Sequence, residues 1–382
     1  MAVTTEAPAR TTFPYLGSLD GIRGLLVFPV VAFHFSVTEW GTDALAPGSF
    51  FAPSMFFTLS GFLITSLLLV ERERSGGVDW RGFWARRFRR LLPASTAVVL
   101  GCAALGLVID LWDFRAGDAA AGLLSYMNWR SIHFSDDPAR LLGPLGPYWS
   151  LAVEEQFYLG LSLVVALAFA ARRSIATLTA VLVGLWAASV LAQVLVEGSV
   201  QREYFGTDTR ASEMLAGCLL AVAVHRWGWP TDRRWALLGL GCGALTVAGW
   251  LWVHETDAWV TAGGLAAFAL VNVGLIVGAV VESPLARVLR FEPLAALGRI
   301  SYPVYVVHWA VTVALNSDRV GFGGWPLIGL RFVVTIGLGW ALARFVEEPV
   351  RRKRVLSGRA LGAGWALAAV AAVALAGLTD GA

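Results

Sequence analysis

Charge is scarce in this chain of 382 residues. Asp, Glu, Lys and Arg together make up 15% of it, against about 25% in ordinary soluble domains. That deficit excludes a conventional water-soluble fold. The charges nearly balance, at a formal net of +3, which gives no basis for a nucleic-acid partner. Cysteine is scarce too: Cys102, Cys218 and Cys242 are widely spaced, with no CxxC pair and no histidine beside them. Neither a disulfide framework nor a metal site is expected from them; they read as buried packing residues. No segment alternates as a barrel strand would. No internal repeat of the kind found in many secondary transporters is visible. The polar segment 1–18 leads into an apolar run with no small-residue cleavage site after it. No cleavable signal peptide is therefore expected, and residues 1–18 read as a disordered cytoplasmic N-terminus.

What the chain has in abundance is apolar sequence, 57% of all residues. About 20 mostly apolar residues suffice for a helix to cross the hydrocarbon core. Eleven stretches qualify, near 21–38, 50–70, 91–110, 148–170, 174–196, 211–227, 235–253, 258–281, 300–316, 325–346 and 360–378. Backbone polar groups in lipid must be satisfied within the segment, so the expected class is an all-α integral membrane protein.

Charge placement gives an independent check. With the N-terminus cytoplasmic, the inner connections hold Arg72, Arg74, Arg81 and the run Arg86 to Arg90; Arg172 and Arg173; Arg226, Arg233 and Arg234; Arg287, Arg290 and Arg299; and Arg351, Arg352, Lys353, Arg354 and Arg359. The outer connections hold only Arg115, Arg130, Arg140, Arg202, Arg210 and Arg319. This asymmetry predicts eleven helices with the N-terminus inside and the C-terminus outside. The outer segment 111–147 is too long for a simple connector. Its Ala119–Trp129 stretch reads as an interfacial helix, with Tyr126 and Trp129 at headgroup level.

Ionisable groups inside spans are costly, at least ~2.5–3.5 kcal/mol at the centre on insertion scales, so each is a functional candidate. The first span carries Arg23 near its inner end and His34 deep in an apolar run. They are eleven positions apart, ~16 Å along a helix, too far for contact. A cation near the cytoplasmic face suits a phosphate-bearing donor. An imidazole farther in suits a general base acting on a hydroxyl. His34 is also open to a plainer reading, a hydrogen bond to a neighbouring helix.

Seven segments then occur in a recognisable order: Leu19-Asp-Gly-Ile-Arg…Phe33-His34, Phe56 to Thr65, Phe83 to Pro93, Tyr148 to Tyr158, Arg210 to Gly217, Leu297 to His308 and Phe345 to Arg351. Together they resemble the acyltransferase-3 family of membrane O-acyltransferases, which includes O-antigen acetylases and antibiotic-tailoring acyltransferases. The likeness covers 19–352, nearly the whole chain, leaving 353–382 as a basic cytoplasmic linker and a final transmembrane helix. It implies an essential Arg-x10-His pair, here Arg23 and His34, an acyl-CoA co-substrate with no bound cofactor, and a hydroxylated sugar acceptor. Some members carry a soluble esterase-like domain after the last helix. No such domain is read here, which leaves a cell-envelope glycan and a glycosylated small molecule both open as acceptor.

The remaining candidates divide by role. Glu154 and Glu155 project about 100° apart on one helix, so one of them is expected to orient an imidazole or a sugar hydroxyl. His308, ~10 Å above the cytoplasmic face, fits either the thioester region or a bracing contact between helices. Arg86, Arg87, Arg89 and Arg90 fit CoA phosphates, or equally topology and anionic lipid. Arg210 fits an outer sugar contact or an i,i+3 pair with Glu213. Ser60 reads as a hydrogen bond to backbone or to a neighbouring helix, and Gly61 as a close helix approach. The expected activity is transfer of an acyl group, acetyl in the first instance, from acyl-CoA to a sugar hydroxyl in a bacterial plasma membrane. The rival is a transporter or flippase for a sugar-containing substrate, and acyl-CoA turnover separates the two.

Overall fold

The computed structural model describes residues 13–378 except 110, 113, 136–142, 172–173, 197–198 and 354–358. Several sequence-based readings lie outside the described residues: segment 1–12, Arg172, Arg173 and Arg354 of the inner connections, Arg140 of the outer segment, and the terminal 379–382.

All regular structure among the described residues is helical, with no strand. The helices that matter here are α1 (Gly17–Trp40), α2 (Ala52–Ser75), α3 (Trp80–Ile109), α4 (Ala116–Leu123), α5 (Met127–His133), α6 (Tyr148–Ala170), α7 (Ile175–Leu195), α8 (Thr207–Trp227), α9 (Arg233–Trp252), α10 (Leu265–Val280), α11 (Glu292–Arg299), α12 (Ser301–Ala314), α13 (Gly324–Ala341) and α14 (Arg359–Gly377). Each begins or ends where local chemistry allows. Gly41 and Gly76 take φ of +65° and +72° and close α1 and α2 as left-handed C-caps. Ser174 and Asp232 accept hydrogen bonds from the first free amides of α7 and α9.

Among the described residues each of the eleven apolar stretches is largely helical, with a kink at Ala262 and Gly263 in 258–281. Eight of the resulting helices are long and apolar enough to cross a membrane. The other three fall short for separate reasons. α8 carries Asp208, Arg210, Glu213 and Arg226. α12 has 14 residues because the chain breaks at Ile300, between α11 and α12. In α14 the apolar helical stretch, Gly362–Gly377, is shorter than the eight.

Two expectations are revised. Arg86–Arg90 do not lie in a connection: α3 already begins at Trp80, so the run occupies its first turns, and its members point to different sides. The interfacial helix expected over Ala119–Trp129 is two short helices, α4 and α5, with Ser125 between them at φ +57°. The apolar face of α4 (Ala119, Ala121, Leu123) is buried in the core it shares with α3, α12 and α14, so this segment belongs to the helical body.

Small residues set the closest helix approaches. α8 crosses α2 at two glycines: a Cβ on Gly61 would fall 2.0 Å from the Met214 carbonyl oxygen, and one on Gly217 1.9 Å from that of Thr58. Backbone atoms cannot swing aside, so Gly217→Ala must push the helices apart. The expected cost is about 1–3 kcal/mol, read as a lower unfolding temperature in detergent; an unchanged midpoint contradicts the packing. Gly298 on α11 meets the Asp20 carbonyl in the same way, its would-be Cβ at 1.7 Å. This seats α11 against the first turns of α1.

Candidate active site

α1 carries one half of the site near each end. Because the helix spans Gly17–Trp40, His34 lies roughly 26 Å from its start in a total of about 35 Å. That is about three-quarters of the way along. At the other end Arg23 donates to Asp20 Oδ1 at 2.9 Å, and Tyr15 Oη donates to Asp20 Oδ2 at 2.8 Å. That hydrogen bond, with partial burial, raises the Tyr15 pKa.

Two connected hollows open around Arg23. A vestibule of about 410 Å³ is walled by Arg23, Arg90, Arg299, Arg344 and Arg351 against Asp20, Glu347 and Glu348. Arg299 pairs with Glu292, Arg344 with Glu348 at 3.1 Å and Arg351 with Glu347 at 3.4 Å. Arg90 has no ion pair among the described residues. Deeper lies a cavity of about 460 Å³ that shares Tyr15, Asp20, Arg23 and Arg90 with the vestibule. Its inner wall turns apolar (Phe56, Phe57, Leu63, Ile64) and ends near Ser150 and Tyr305. A basic mouth over a half-apolar throat fits a molecule with a polyanionic head and a neutral arm.

The arginine run divides between roles. Arg87 and Arg90 line the cavity. Arg87 clamps Glu155 in a bidentate pair, Nη2 to Oε1 at 2.7 Å, with its guanidinium 3.3 Å from the Tyr158 ring centroid. Arg86 pairs with Glu71 at 3.1 Å on the exposed side. Arg89 lines neither hollow, and its buried Nε has no partner. Glu155 is therefore a structural partner of Arg87. Glu154 faces the cavity and accepts from Ser60 Oγ and Tyr158 Oη; it makes no hydrogen bond to His34.

The partner of His34 is another histidine, 274 positions away. His308 Nε2 lies 3.0 Å from His34 Nδ1, with the rings 5.0 Å apart. His308 Nδ1 is bonded to the Tyr305 carbonyl. A carbonyl only accepts, so Nδ1 of a neutral His308 carries the proton and its Nε2 is a lone pair. That lone pair accepts from His34 Nδ1–H, which leaves His34 Nε2 as the basic nitrogen. The Trp309 ring stands edge-on at 5.0 Å and fixes the imidazole from a third side. His308 is fully buried, and its contact with His34 joins α12 to α1.

His34 lines a separate hollow of about 200 Å³ toward the far end of α1. This outer cavity shares only Pro53 and Tyr305 with the inner one. Tyr305 Oη is held 2.7 Å from Ser150 Oγ and 2.9 Å from the Pro147 carbonyl, so a fixed phenol stands between the two spaces. Arg210 lines neither. It is fully buried and bidentate on Glu213, Nε to Oε2 at 2.7 Å and Nη2 to Oε1 at 3.1 Å, with Nη1 on the Tyr204 carbonyl at 3.2 Å. This is the i,i+3 pair.

Sequence reasoning missed Tyr305, although it lies one helical turn before His308. It also passed over Arg331 on α13. That arginine is buried and bonds the Leu315 and Phe35 carbonyls at 2.8 and 3.3 Å, tying α13 to the end of α1. The cost of a charge within a span was signal enough to find it.

The family model described as an acyltransferase domain matches residues 16–344. Among curated proteins the chain is 31% identical to the peptidoglycan O-acetyltransferase OatA of Listeria monocytogenes over 369 residues, 90% of this chain and 57% of that one. It is 32% identical to the O-acetyltransferase OatA of Staphylococcus aureus over 356 residues, 89% of this chain and 58% of that one. The chain thus spans little more than half the length of these relatives. No solved structure matches it. The arginine and histidine of α1 lie within the matched region, and with this coverage the chain belongs to the acyltransferase-3 family.

Proposed function

We propose that the protein is a multi-pass O-acyltransferase of the bacterial plasma membrane that moves an acetyl group from acetyl-CoA to a hydroxyl of a cell-envelope glycan. The observation that carries this reading is the oriented His34–His308 pair, with His34 lining an outer cavity that meets the basic-mouthed inner one at Pro53 and Tyr305. The names of the relatives support the acceptor class.

In this reading the CoA phosphates rest in the arginine vestibule and the pantetheine arm follows the 460 Å³ cavity, bringing the thioester to Tyr305. His34 Nε2 takes the proton of the acceptor hydroxyl. The oxygen forms the new C–O bond at the thioester carbonyl, the C–S bond breaks, and CoA departs as thiolate toward the vestibule. The imidazolium then returns its proton, so the net products are the ester and free CoA thiol. His308 accepts from His34 Nδ1–H throughout and holds the tautomer.

The test is purified protein in detergent with acetyl-CoA and soluble glycan fragments of digested peptidoglycan. Thiol release together with acetylated glycan by mass spectrometry is expected; absence of both sinks the reading and favours transport. Arg23→Gln should raise KM for acetyl-CoA by about 10–100-fold, the worth of a charge-assisted hydrogen bond of about 1.5–3 kcal/mol. The loss should shrink for a donor lacking phosphate groups. Equal losses for both donors would remove Arg23 from phosphate recognition.

A further inference from the structure

The outer cavity holds a polar group with nothing to bind. Ser49 lines it at 1% exposure, and its Oγ has no hydrogen-bond partner. A buried hydroxyl without a partner is costly and uncommon in native proteins. Around it the wall is aromatic. Trp149 lies 4.8 Å from Phe205 and 5.1 Å from Tyr204, ring to ring, and Tyr204 is anchored by its hydroxyl on the Phe50 carbonyl at 2.8 Å. Gln201 and Glu255 line the same space. Glu255 stands on the connection after α9 and is still reached by water. Partial desolvation and the neighbouring Asp43 carboxylate raise its pKa. Next to Glu255, His254 is bonded to Asp43 at 2.7 Å, which ties this connection to the one after α1.

We propose that this cavity is the acceptor subsite and takes a single pyranose ring, stacked on the Trp149–Tyr204–Phe205 wall, with Ser49 Oγ and the Glu255 carboxylate on its hydroxyls and one hydroxyl presented to His34. The proposal rests on the acyltransferase reading and deepens it. Aromatic faces match the C–H faces of a sugar ring, while a few fixed polar groups select its orientation. A hollow of about 200 Å³ has room for a sugar ring. A longer glycan would leave its other residues outside the mouth. The inner cavity supplies none of this pattern: it meets the outer one at Pro53 and Tyr305, and His34 is not part of its lining.

Ser49→Ala offers a clean test, since deleting an unpaired buried hydroxyl should leave folding intact. In steady-state assays with acetyl-CoA and peptidoglycan-derived glycan fragments, Ser49→Ala should raise acceptor KM by about 3–10-fold and Glu255→Ala by about tenfold or more. KM for acetyl-CoA should not change. If the wild type turns over but both variants keep its acceptor KM, the subsite lies elsewhere and the enzyme reading stands. If the wild type produces no ester, the enzyme reading fails. Saturation-transfer NMR of the same glycan fragments then decides the subsite: loss of signal in the Ser49→Ala, Glu255→Ala double variant supports it, and a signal equal to wild type overturns it.

Discussion

His34→Ala is expected to lower turnover about 10²–10⁴-fold, the range for loss of a positioned general base, while KM for acetyl-CoA stays near its wild-type value. The separation follows from the geometry: His34 lines only the outer cavity, and the vestibule arginines lie at the other end of α1. Substitutions at His308 should grade by chemistry. In His308→Leu the lone pair facing His34 Nδ1–H is gone, so the wrong tautomer and ring rotation become accessible and turnover should fall steeply. In His308→Gln a side-chain carbonyl can still accept that hydrogen bond, and much of the activity should return. If Leu and Gln behave alike, His308 is packing and the tautomer argument is wrong.

The second large effect concerns stability. Arg210→Met should cost about 3–5 kcal/mol, because it leaves the Glu213 carboxylate buried without its partner. Both side chains are fully buried, so water cannot replace the lost guanidinium. Replacing both members, Arg210→Met with Glu213→Leu, should recover most of the loss, since an apolar pair avoids the desolvation that an ion pair must offset. Thermal unfolding in detergent reads both. Were Arg210 a sugar ligand instead, the single variant would keep its unfolding temperature and lose acceptor affinity.

The helical stretches were legible because lipid leaves a chain few options: an apolar run of sufficient length must satisfy its own backbone. His34 was legible for the same reason, as a polar ring where polarity is costly. The histidine pair was not, because nothing local links positions 34 and 308. Their contact depends on α12 packing against α1, which the order of apolar stretches along the chain does not specify. The arginine run was misplaced for a different reason. Arginine is a good helix former, so α3 extends through it, and helical geometry then sends Arg87 inward to Glu155 and Arg86 outward to Glu71. The group beside His34 Nδ1 is His308 Nε2 rather than a carboxylate, while Glu154 is engaged with Ser60 and Tyr158.

Donor and acceptor are held here to meet at His34 from opposite faces of the membrane. The direct measurement uses sealed proteoliposomes of uniform orientation, with labelled acetyl-CoA outside, on the vestibule face, and glycan fragments enclosed in the lumen. Label should accumulate on the enclosed glycan and free thiol should appear outside. Acetylation only of glycan supplied on the same side as acetyl-CoA would contradict the arrangement of the two cavities around His34.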